Sequence, residues 1–253
     1  MKIKMICIDL DGTLFNGKKI RRISKEDRET IYNAYKQGIK IIITTGRIFN
    51  NAANVSRSLK LRCPVIAANG SVVGDEDLNN LLYKNISVDR CLRICDLIEK
   101  YNLTAHFYTK DRILPNNFKA FLIGKIYRYK NDIVKCVVYS LNSSDIKKFK
   151  EELSKDGDLT ICGDGKYSAE VTDYDVSKGE AVKFLSEYLK IDKSEVLCIG
   201  DNENDISMIK NSGAFVAMGN AVKIARKSAD YVTDTNKNYG VAKAIKKFLH
   251  WRK

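Results

Sequence analysis

Three apolar segments in the first part of the chain are continuous and do not alternate with polar residues. They span residues 3–9, 39–45 and 64–68. A strand that is buried on both faces has such a continuous pattern, and both faces are buried where helices cover a parallel sheet. Between the first two segments, Ser24 and Gly38 are the expected start and end signals of a helix over residues 25–37. The segment 1–79 is therefore predicted to alternate strands and helices.

The last part of the chain, residues 178–253, repeats this alternation. Its predicted strands are the sequences EVLCIG, AFVAM and DYVT, and its predicted helices span residues 178–190, 204–211, 221–228 and 240–251. Strands that alternate with helices are typical of a doubly wound α/β domain with a Rossmann-like parallel sheet. We expect the segments 1–79 and 178–253 to form this core domain together.

The middle of the chain, residues 80–177, has a different pattern. It contains predicted helices at 88–101 and 144–154, two apolar strands, TAHFYT and DIVKCVVYSL, and the segment LTICGDGKYSAEVT, in which GDGK is a predicted hairpin turn. Two helices with about four mainly antiparallel strands make a small α+β domain. We expect this domain to be inserted into the α/β core.

Composition limits the class of protein. The chain has 253 residues, 44% of them hydrophobic, as expected for an ordinary folded protein. No apolar run approaches the roughly 18 to 20 residues that span a bilayer, and Asp9 and Asp11 interrupt the N-terminal apolar run, which excludes a signal peptide. The seven cysteines contain no CxxC pair, which argues against a disulfide framework and a cysteine-type zinc site. We expect a cytoplasmic protein.

The formal net charge of +13 raises nucleic acid or an acidic membrane surface as a partner. The basic residues are, however, spread along the whole chain. The densest basic stretch, from Lys110 to Lys130, is interleaved with aromatic residues, so a nucleic-acid site is the alternative interpretation of this stretch. We interpret the excess as a lysine-rich solvated surface and expect neither a nucleic-acid partner nor a membrane partner.

Four polar motifs each follow directly on an apolar strand. They are DLDGT at 9–13, TTGR at 44–47, NG at 69–70 and GDNEND at 200–205. Because the carboxyl ends of parallel strands lie along one edge of the sheet, motifs that are distant in sequence can share one pocket there. A fifth motif, VSKGEA, places Lys178 in the first turn of a helix that begins after Ser177.

The residue types at this edge fit a divalent metal ion and a phosphate group. Asp9, Asp11 and Asp201 supply carboxylates without histidine or cysteine, a set that favours a hard cation such as Mg²⁺. Lys178, the Thr45 hydroxyl, and backbone N–H groups at glycines and helix starts can hold phosphate. The sequence therefore predicts a pocket for Mg²⁺ and a phosphate.

The motifs DLDGT, TTGR, ANG, SKGEA, GDNENDISM and NYGVAKAI, in this order, resemble those of the haloacid dehalogenase (HAD) superfamily, and specifically its Cof-like subfamily IIB phosphatases. The resemblance covers essentially the whole chain. It implies a core of residues 1–79 and 178–253 and an inserted cap of the C2B type over residues 80–177. It also implies phosphoryl transfer through an aspartyl-phosphate intermediate, with Mg²⁺ as the cofactor.

The resemblance assigns a role to each motif residue. Asp9 would be the nucleophile that attacks phosphorus, and Asp11 would protonate the leaving alcohol and then activate water. The implied ligands of Mg²⁺ are Asp9, the Asp11 backbone carbonyl and Asp201, with Asp205 behind them. The groups implied to hold the phosphoryl oxygens are Thr45, Gly46, Lys178, Asn204 and the Leu10 backbone N–H.

Three further residues have open interpretations. Asn69 is either a contact at the edge of the site, behind the metal ligands, or a turn residue at a strand end. Arg47 either closes a turn, which we favour, or contacts substrate. Glu170 falls where the resembled branch often has an acidic residue near the junction of cap and core.

The expected function is a Mg²⁺-dependent phosphatase that hydrolyses small phosphomonoesters such as sugar phosphates, pyridoxal phosphate or flavin mononucleotide. A phosphohexomutase of the same superfamily is an alternative, because such relatives share a DxDGT motif, and a non-catalytic basic binding protein is another. The expected partner is a small phosphorylated metabolite, and the expected state is a monomer or a weak homo-oligomer. The sequence leaves the individual substrate open.

Overall fold

The chain forms two separate β-sheets in the computed structural model, which describes residues 2–17, 22–116, 119–155, 157–162 and 165–250. In chain order, the strands are β1 (Met5–Ile8), β2 (Lys40–Thr44), β3 (Val65–Ala67), β4 (Val72–Gly74), β5 (Asn80–Tyr83), β6 (Thr104–Thr109), β7 (Ile113–Asn116), β8 (Ile133–Tyr139), β9 (Leu159–Cys162), β10 (Ser168–Asp173), β11 (Val196–Gly200), β12 (Ala214–Ala217) and β13 (Tyr231–Val232). The α-helices are α1 (Lys25–Lys36), α2 (Phe49–Ser58), α3 (Val88–Lys100), α4 (Lys119–Arg128), α5 (Ser143–Leu153), α6 (Lys178–Tyr188), α7 (Glu203–Ile206), α8 (Lys223–Ser228) and α9 (Gly240–His250).

The larger sheet, as far as the described residues show it, has eight strands in the order β13-β12-β11-β1-β2-β3-β4-β5. The strands from β13 to β3 are parallel, whereas β4 pairs in antiparallel fashion with β3 on one side and with β5 on the other. Strand β1 lies between β2 and β11, so Cys7 is opposite both Ile42 and Cys198. Helices α1 and α9 also pack together, and buried Asp27 accepts a 2.8 Å hydrogen bond from the Ala242 N–H. The two ends of the chain thus form one doubly wound α/β unit, as predicted.

The smaller sheet is antiparallel throughout the described ranges, with the strand order β7-β6-β8-β10-β9. Its core contains Cys136 of β8 together with apolar residues of α3 and α5. Because side chains alternate along a strand, Lys135 and Val137 of β8 point to the opposite face, which is turned toward the larger sheet. This unit has the predicted α+β character.

The start of β8 is fastened to the larger sheet by hydrogen bonds. The Ser71 hydroxyl donates to the Val134 carbonyl at 2.8 Å, and the Tyr83 hydroxyl of β5 donates to the carbonyl of Asp132, which directly precedes β8, at 3.1 Å. Ser71 directly precedes β4, next to the carboxyl end of β3. The smaller sheet is therefore held over the edge at which the predicted motifs lie.

The hairpin of β4 and β5 was absent from the sequence prediction. Strand β5 pairs with β4 at the edge of the larger sheet, although a domain boundary at residue 80 assigns it to the insertion. Strands of three and four residues are too short to show a period, and the register of this pair shifts between Val73 and Gly74. The strand pairing groups Asn80–Tyr83 with the larger sheet.

Helices α2 and α4 and strand β7 were also not predicted. Helix α2 begins after Ile48, whose side chain makes no capping hydrogen bond, so the usual start signal is missing.

The predicted GDGK turn includes Gly163 and Asp164, and the predicted last helix extends to Trp251. These three residues lie outside the described ranges. No described helix is long and apolar enough to cross a membrane.

Candidate active site

A cavity of about 380 Å³ lies between the carboxyl ends of the central strands and the smaller sheet. Its floor, on the larger sheet, includes six residues predicted for the site: Asp9, Asp11, Thr45, Gly46, Lys178 and Asn204. Its roof, on the smaller sheet, includes Tyr108, Ile113, Lys135 and Glu170. The structure thus brings distant motifs together at one sheet edge, as the parallel strands predict.

Lys178 connects two of the predicted carboxylates. Its Nζ lies 2.7 Å from Asp9 Oδ1 and 2.7 Å from Asp205 Oδ1, and all three side chains are buried. Burial alone would lower the pKa of Lys178, but the carboxylates of Asp205 and Asp9 raise it above its ordinary value. Lys178 is the first residue of α6, whose start Ser177 caps as predicted. A fixed positive charge therefore lies beside Asp9.

The lysine does not balance the negative charge around Asp9. Burial raises the pKa of Asp9 well above its ordinary value, and although Lys178 opposes this shift, Asp205 and Asp201 add to it. Two carboxylates contact the Lys178 ammonium group, and the third, Asp201, lies close to both of them. An additional cation would relieve their repulsion.

Asp205 has both carboxylate oxygens engaged in hydrogen bonds. Its Oδ1 bonds Lys178, and its Oδ2 accepts the backbone N–H groups of Asp201 and Asn202 at 2.9 Å each. Asp201 accepts a 2.9 Å hydrogen bond from the Thr13 hydroxyl. Burial, and then the charge of Asp205, raise the pKa of Asp201 to about 6. Asp205 therefore anchors the loop, whereas Asp201 retains acceptor capacity for a ligand.

Asp9, Asp201 and Asp205 offer oxygens that lie within 4.8 Å of one another. This donor set consists of oxygen alone, which suits a hard divalent cation. Since Asp205 is engaged elsewhere, Asp9 and Asp201 are the side chains best arranged to bind one. Gly12 permits the arrangement, because a Cβ there would lie 2.2 Å from Asp201 Oδ2 and its φ of +86° favours glycine. The residues present fit a divalent metal ion.

Asp11 points to a different partner from the other aspartates. Its two carboxylate oxygens accept two hydrogen bonds from the Arg47 guanidinium, whose centre lies 5.1 Å from the Phe15 ring centroid. The Arg47 backbone also closes the predicted turn, because its N–H donates to Thr45 Oγ1 at 3.2 Å and its carbonyl accepts the Ala68 N–H. The turn interpretation of Arg47 agrees with this geometry, but the pairing with Asp11 was not anticipated.

Asn69 is completely buried and connects the roof to the floor. Its Nδ2 donates to Glu170 Oε2 at 2.6 Å, and its Oδ1 accepts a 3.2 Å hydrogen bond from Asn204 Nδ2. Its backbone has a positive φ of 59° in the turn after β3, which asparagine tolerates. Asn69 is thus a turn residue whose side chain contacts two residues that line the cavity, Glu170 and Asn204.

Lys135 was missed by the sequence reasoning. Its Nζ donates to the Gly46 carbonyl at 2.6 Å, lies 3.1 Å from Glu170 Oε2 and lies 4.7 Å from the Tyr108 ring centroid. Its side chain is only 5% exposed. The available signal was a single lysine within the apolar strand IVKCVVY, since a buried ammonium group needs anionic or carbonyl partners.

Of the other predicted phosphate-binding residues, Thr45 and Gly46 line the cavity, whereas Leu10 is not among its lining residues. Thr45 is buried directly after β2, and its N–H donates to the Ile66 carbonyl at 2.9 Å. Leu10 is buried where the chain turns out of β1. Gly46 packs against Asn69, because a Cβ at this position would lie 2.7 Å from Asn69 Oδ1.

Comparison with known proteins agrees with these features. A family model described as haloacid dehalogenase-like hydrolase matches residues 6–245. The chain is 35% identical to the 5-amino-6-(5-phospho-D-ribitylamino)uracil phosphatase YcsE of Bacillus subtilis, over 98% of this chain and 96% of that protein. It is 31% identical to the phosphoglycolate phosphatase of Methanobrevibacter smithii, over 98% of this chain and 100% of that protein.

Comparison with a solved structure indicates the same family. A haloacid dehalogenase-like hydrolase from B. subtilis has a TM-score of 0.85 and 26% identity to this chain, with 96% of this chain and 99% of that chain covered. The resemblance of the sequence motifs to the haloacid dehalogenase superfamily is confirmed. The chain belongs to the haloacid dehalogenase-like hydrolase family, in which it is a phosphatase.

Proposed function

We propose that this phosphatase hydrolyses small phosphomonoesters with Mg²⁺ as its cofactor. The observation that carries the proposal is the position of Asp9, which lies at the cavity floor beside the Lys178 ammonium group and within 4.8 Å of an Asp201 oxygen. The Lys178 ammonium group, together with a Mg²⁺ ion held by Asp9 and Asp201, would orient the Asp9 carboxylate for attack, and their positive charges would offset the charge of a phosphoryl group.

The chemistry follows from the different surroundings of Asp9 and Asp11. In the first step, an Asp9 oxygen attacks phosphorus, the bond from phosphorus to the ester oxygen breaks, and Asp11 gives that oxygen a proton. In the second step, Asp11 takes a proton from water, whose oxygen attacks the phosphorus of the aspartyl-phosphate. Inorganic phosphate leaves and the Asp9 carboxylate is restored. Buried Asp9 and the more exposed Asp11 suit these separate tasks.

Mg²⁺ would be held by Asp9, Asp201 and the Asp11 backbone carbonyl. When bound, the ion supplies positive charge that offsets the carboxylates and the phosphoryl oxygens. Asp205 would support these ligands without binding the ion itself, because it orients both Lys178 and the Asp201 backbone.

The phosphoryl oxygens would be held by donors at the cavity floor. These donors are the Thr45 hydroxyl, the N–H groups of Leu10 and Gly46, the Lys178 ammonium group and the Asn204 amide. The inserted unit, residues 80–177 by the sequence division, would act as a cap that excludes water and contacts the leaving group. The pairing of β5 with the larger sheet supports a start of the cap after Tyr83.

The substrate would be a small phosphorylated metabolite. The names of two relatives specify a phosphorylated ribitylaminouracil and phosphoglycolate, and a cavity of about 380 Å³ suits a ligand of this size range. The phosphohexomutase alternative needs several roof cations to bind a second phosphate. Among the described residues that line the cavity, the roof supplies Lys135 alone, and Lys135 already bonds Gly46 and Glu170.

The direct test is a panel of phosphorylated metabolites incubated with the purified chain and Mg²⁺. We expect release of inorganic phosphate from one or more of them, loss of the activity with EDTA and recovery with added Mg²⁺. Identification of the organic products separates hydrolysis from isomerisation of a hexose phosphate. Failure to release phosphate from any member of the panel would contradict the proposal.

A further inference from the structure

Four side chains form a continuous hydrogen-bonded chain from the roof to the floor of the cavity. Lys135 and Asn69 both donate to Glu170 Oε2, at 3.1 Å and 2.6 Å, and Asn204 donates to Asn69 Oδ1 at 3.2 Å. Glu170 belongs to β10 of the smaller sheet, whereas Asn69 and Asn204 belong to the larger unit. The chain therefore joins separate parts of the fold through polar side chains.

The direction of these hydrogen bonds follows from the chemistry of Glu170. An ionised carboxylate can only accept, so the Asn69 amide must turn its Nδ2 toward Glu170. Its Oδ1 then faces Asn204, where it requires a donor, so Asn204 must turn its own Nδ2 toward Asn69. One carboxylate on the smaller sheet thus sets the orientation of two amides in sequence.

One atom of the Asn204 amide indicates that its neighbours impose this orientation. Among the described residues, its Oδ1 is buried and has no hydrogen-bond partner, which is unfavourable for an amide free to turn. The Nδ2 group has two hydrogens, one of which bonds Asn69, and Asn204 lines the cavity. The second hydrogen is available to an anion in the cavity, whereas the reversed amide would present an oxygen that repels one.

We propose that Glu170 and Asn69 are positioning residues, which fix the Asn204 amide so that its N–H group faces a bound phosphoryl group. This inference rests on the proposed function, because it takes the cavity to be the phosphate site. It adds a role for the smaller sheet, since the floor acquires its full set of donors only while Glu170 contacts Asn69.

The test removes the Glu170 acceptor and then supplies another one. Glu170→Met leaves Asn69 without an acceptor on the smaller sheet, so Asn69 and Asn204 are free to turn. In the double variant, Asn69→Asp is added, so a carboxylate that can only accept again faces Asn204, and the number of charges is the original one. Lys135 keeps its bond to the Gly46 carbonyl in both variants.

The measurement is the Kd of inorganic phosphate in the presence of Mg²⁺, by titration calorimetry. We expect Glu170→Met to bind phosphate about tenfold more weakly than wild type, because a hydrogen bond to a charged group is lost. We expect the double variant to bind within about threefold of wild type, because the carboxylate fixes the donor orientation again. Glu152→Met is the matched control, because Glu152 accepts from Lys100 and Tyr101 elsewhere in the smaller unit. It should bind phosphate as wild type does.

Unchanged phosphate binding in Glu170→Met, or a double variant that binds phosphate no more tightly than Glu170→Met, would overturn the positioning role. If the double variant does not fold, the comparison of Glu170→Met with the Glu152→Met control decides alone. A wild-type chain that binds no phosphate also overturns it. A wild-type chain that binds phosphate and follows the expected variant pattern, yet hydrolyses no phosphomonoester, refutes the proposed function and leaves the positioning role intact.

Discussion

The Lys178 ammonium group donates a 2.7 Å hydrogen bond to Asp9 Oδ1, and both side chains are almost fully buried. The two residues are 169 positions apart in the chain, so this bond joins α6 to the end of β1. It holds one Asp9 oxygen in a fixed direction. It also places positive charge where a phosphoryl group would enter, so stability and reactivity depend on the same contact.

Asp9→Asn is expected to abolish phosphate release from an aryl phosphate, by at least about a thousandfold, because an amide cannot act as the nucleophile. The thermal midpoint of the metal-free variant should equal or exceed that of wild type. The reason is that burial and the neighbouring aspartates raise the pKa of Asp9, so removal of its charge relieves repulsion. Phosphate release and thermal unfolding are measured on the same samples. Normal hydrolysis by the variant would exclude Asp9 as the nucleophile.

Lys178→Met is expected to lower the free energy of unfolding by about 3–5 kcal/mol, because it leaves buried carboxylates without their counter-ion. Urea unfolding of the metal-free chain measures the loss. Adding Asp205→Asn should recover part of it, since the double variant has one fewer unpaired charge. Equal stability of the single and double variants would show that the Lys178–Asp205 contact contributes little.

Much of the site was predictable because strand ends share one edge. Apolar segments located β1, β2 and β11, and the residues after them, Asp9, Thr45 and Asp201, lie together for that reason alone. Beyond the strand ends, however, the pattern carries no information on side-chain direction. The pairing of Asp11 with Arg47 was therefore missed, although both residues stood in recognised motifs.

The roof was predictable only as secondary structure. Lys135 lies in a strand whose apolar pattern predicts burial, but its acceptors, Gly46 and Glu170, are distant in sequence and belong to different elements. Local patterns cannot identify such partners, because contact depends on how the two sheets are placed. The same limit applies to Asn69, whose turn conformation suggests a structural residue and whose contacts make it part of the site.

The affinity for Mg²⁺ is expected to fall in mild acid. Asp201 has a pKa of about 6 in the metal-free chain, and only the ionised carboxylate binds the ion. At pH 5.5 about three quarters of Asp201 is protonated, so the affinity should be about fourfold weaker than at pH 7.5 from this group alone. Protonation of Asp9 would steepen the fall. Calorimetric titration with Mg²⁺ at both pH values measures it, and a pH-independent Kd would contradict the expectation.

The stability of the metal-free chain should show the opposite trend with pH. Because the folded-state pKa of Asp201 is raised, the folded chain binds a proton there before the unfolded chain does. The contribution of this group to stability therefore increases as the pH falls through about 6 and levels off below the unfolded value. Asp201→Asn removes the charge at every pH, so the variant should have the higher free energy of unfolding at pH 7.5. This advantage over wild type should shrink toward pH 5, where Asp201 of the wild type is itself protonated. A difference that is constant with pH would argue against a raised pKa.

Arg47→Lys is expected to reduce phosphate release about tenfold and to change the free energy of unfolding by less than about 1 kcal/mol. Lysine keeps the charge but cannot make the two parallel hydrogen bonds that orient the Asp11 carboxylate. The effect on stability is small because the Asp11 side chain is 55% exposed. Arg62→Lys is the matched control, since Arg62 pairs with Asp77 on the surface and lies outside the cavity. The kcat and KM of both variants on one substrate, with urea unfolding, complete the test. If Arg47→Lys retains full kcat, orientation of Asp11 by the guanidinium is not required for proton transfer.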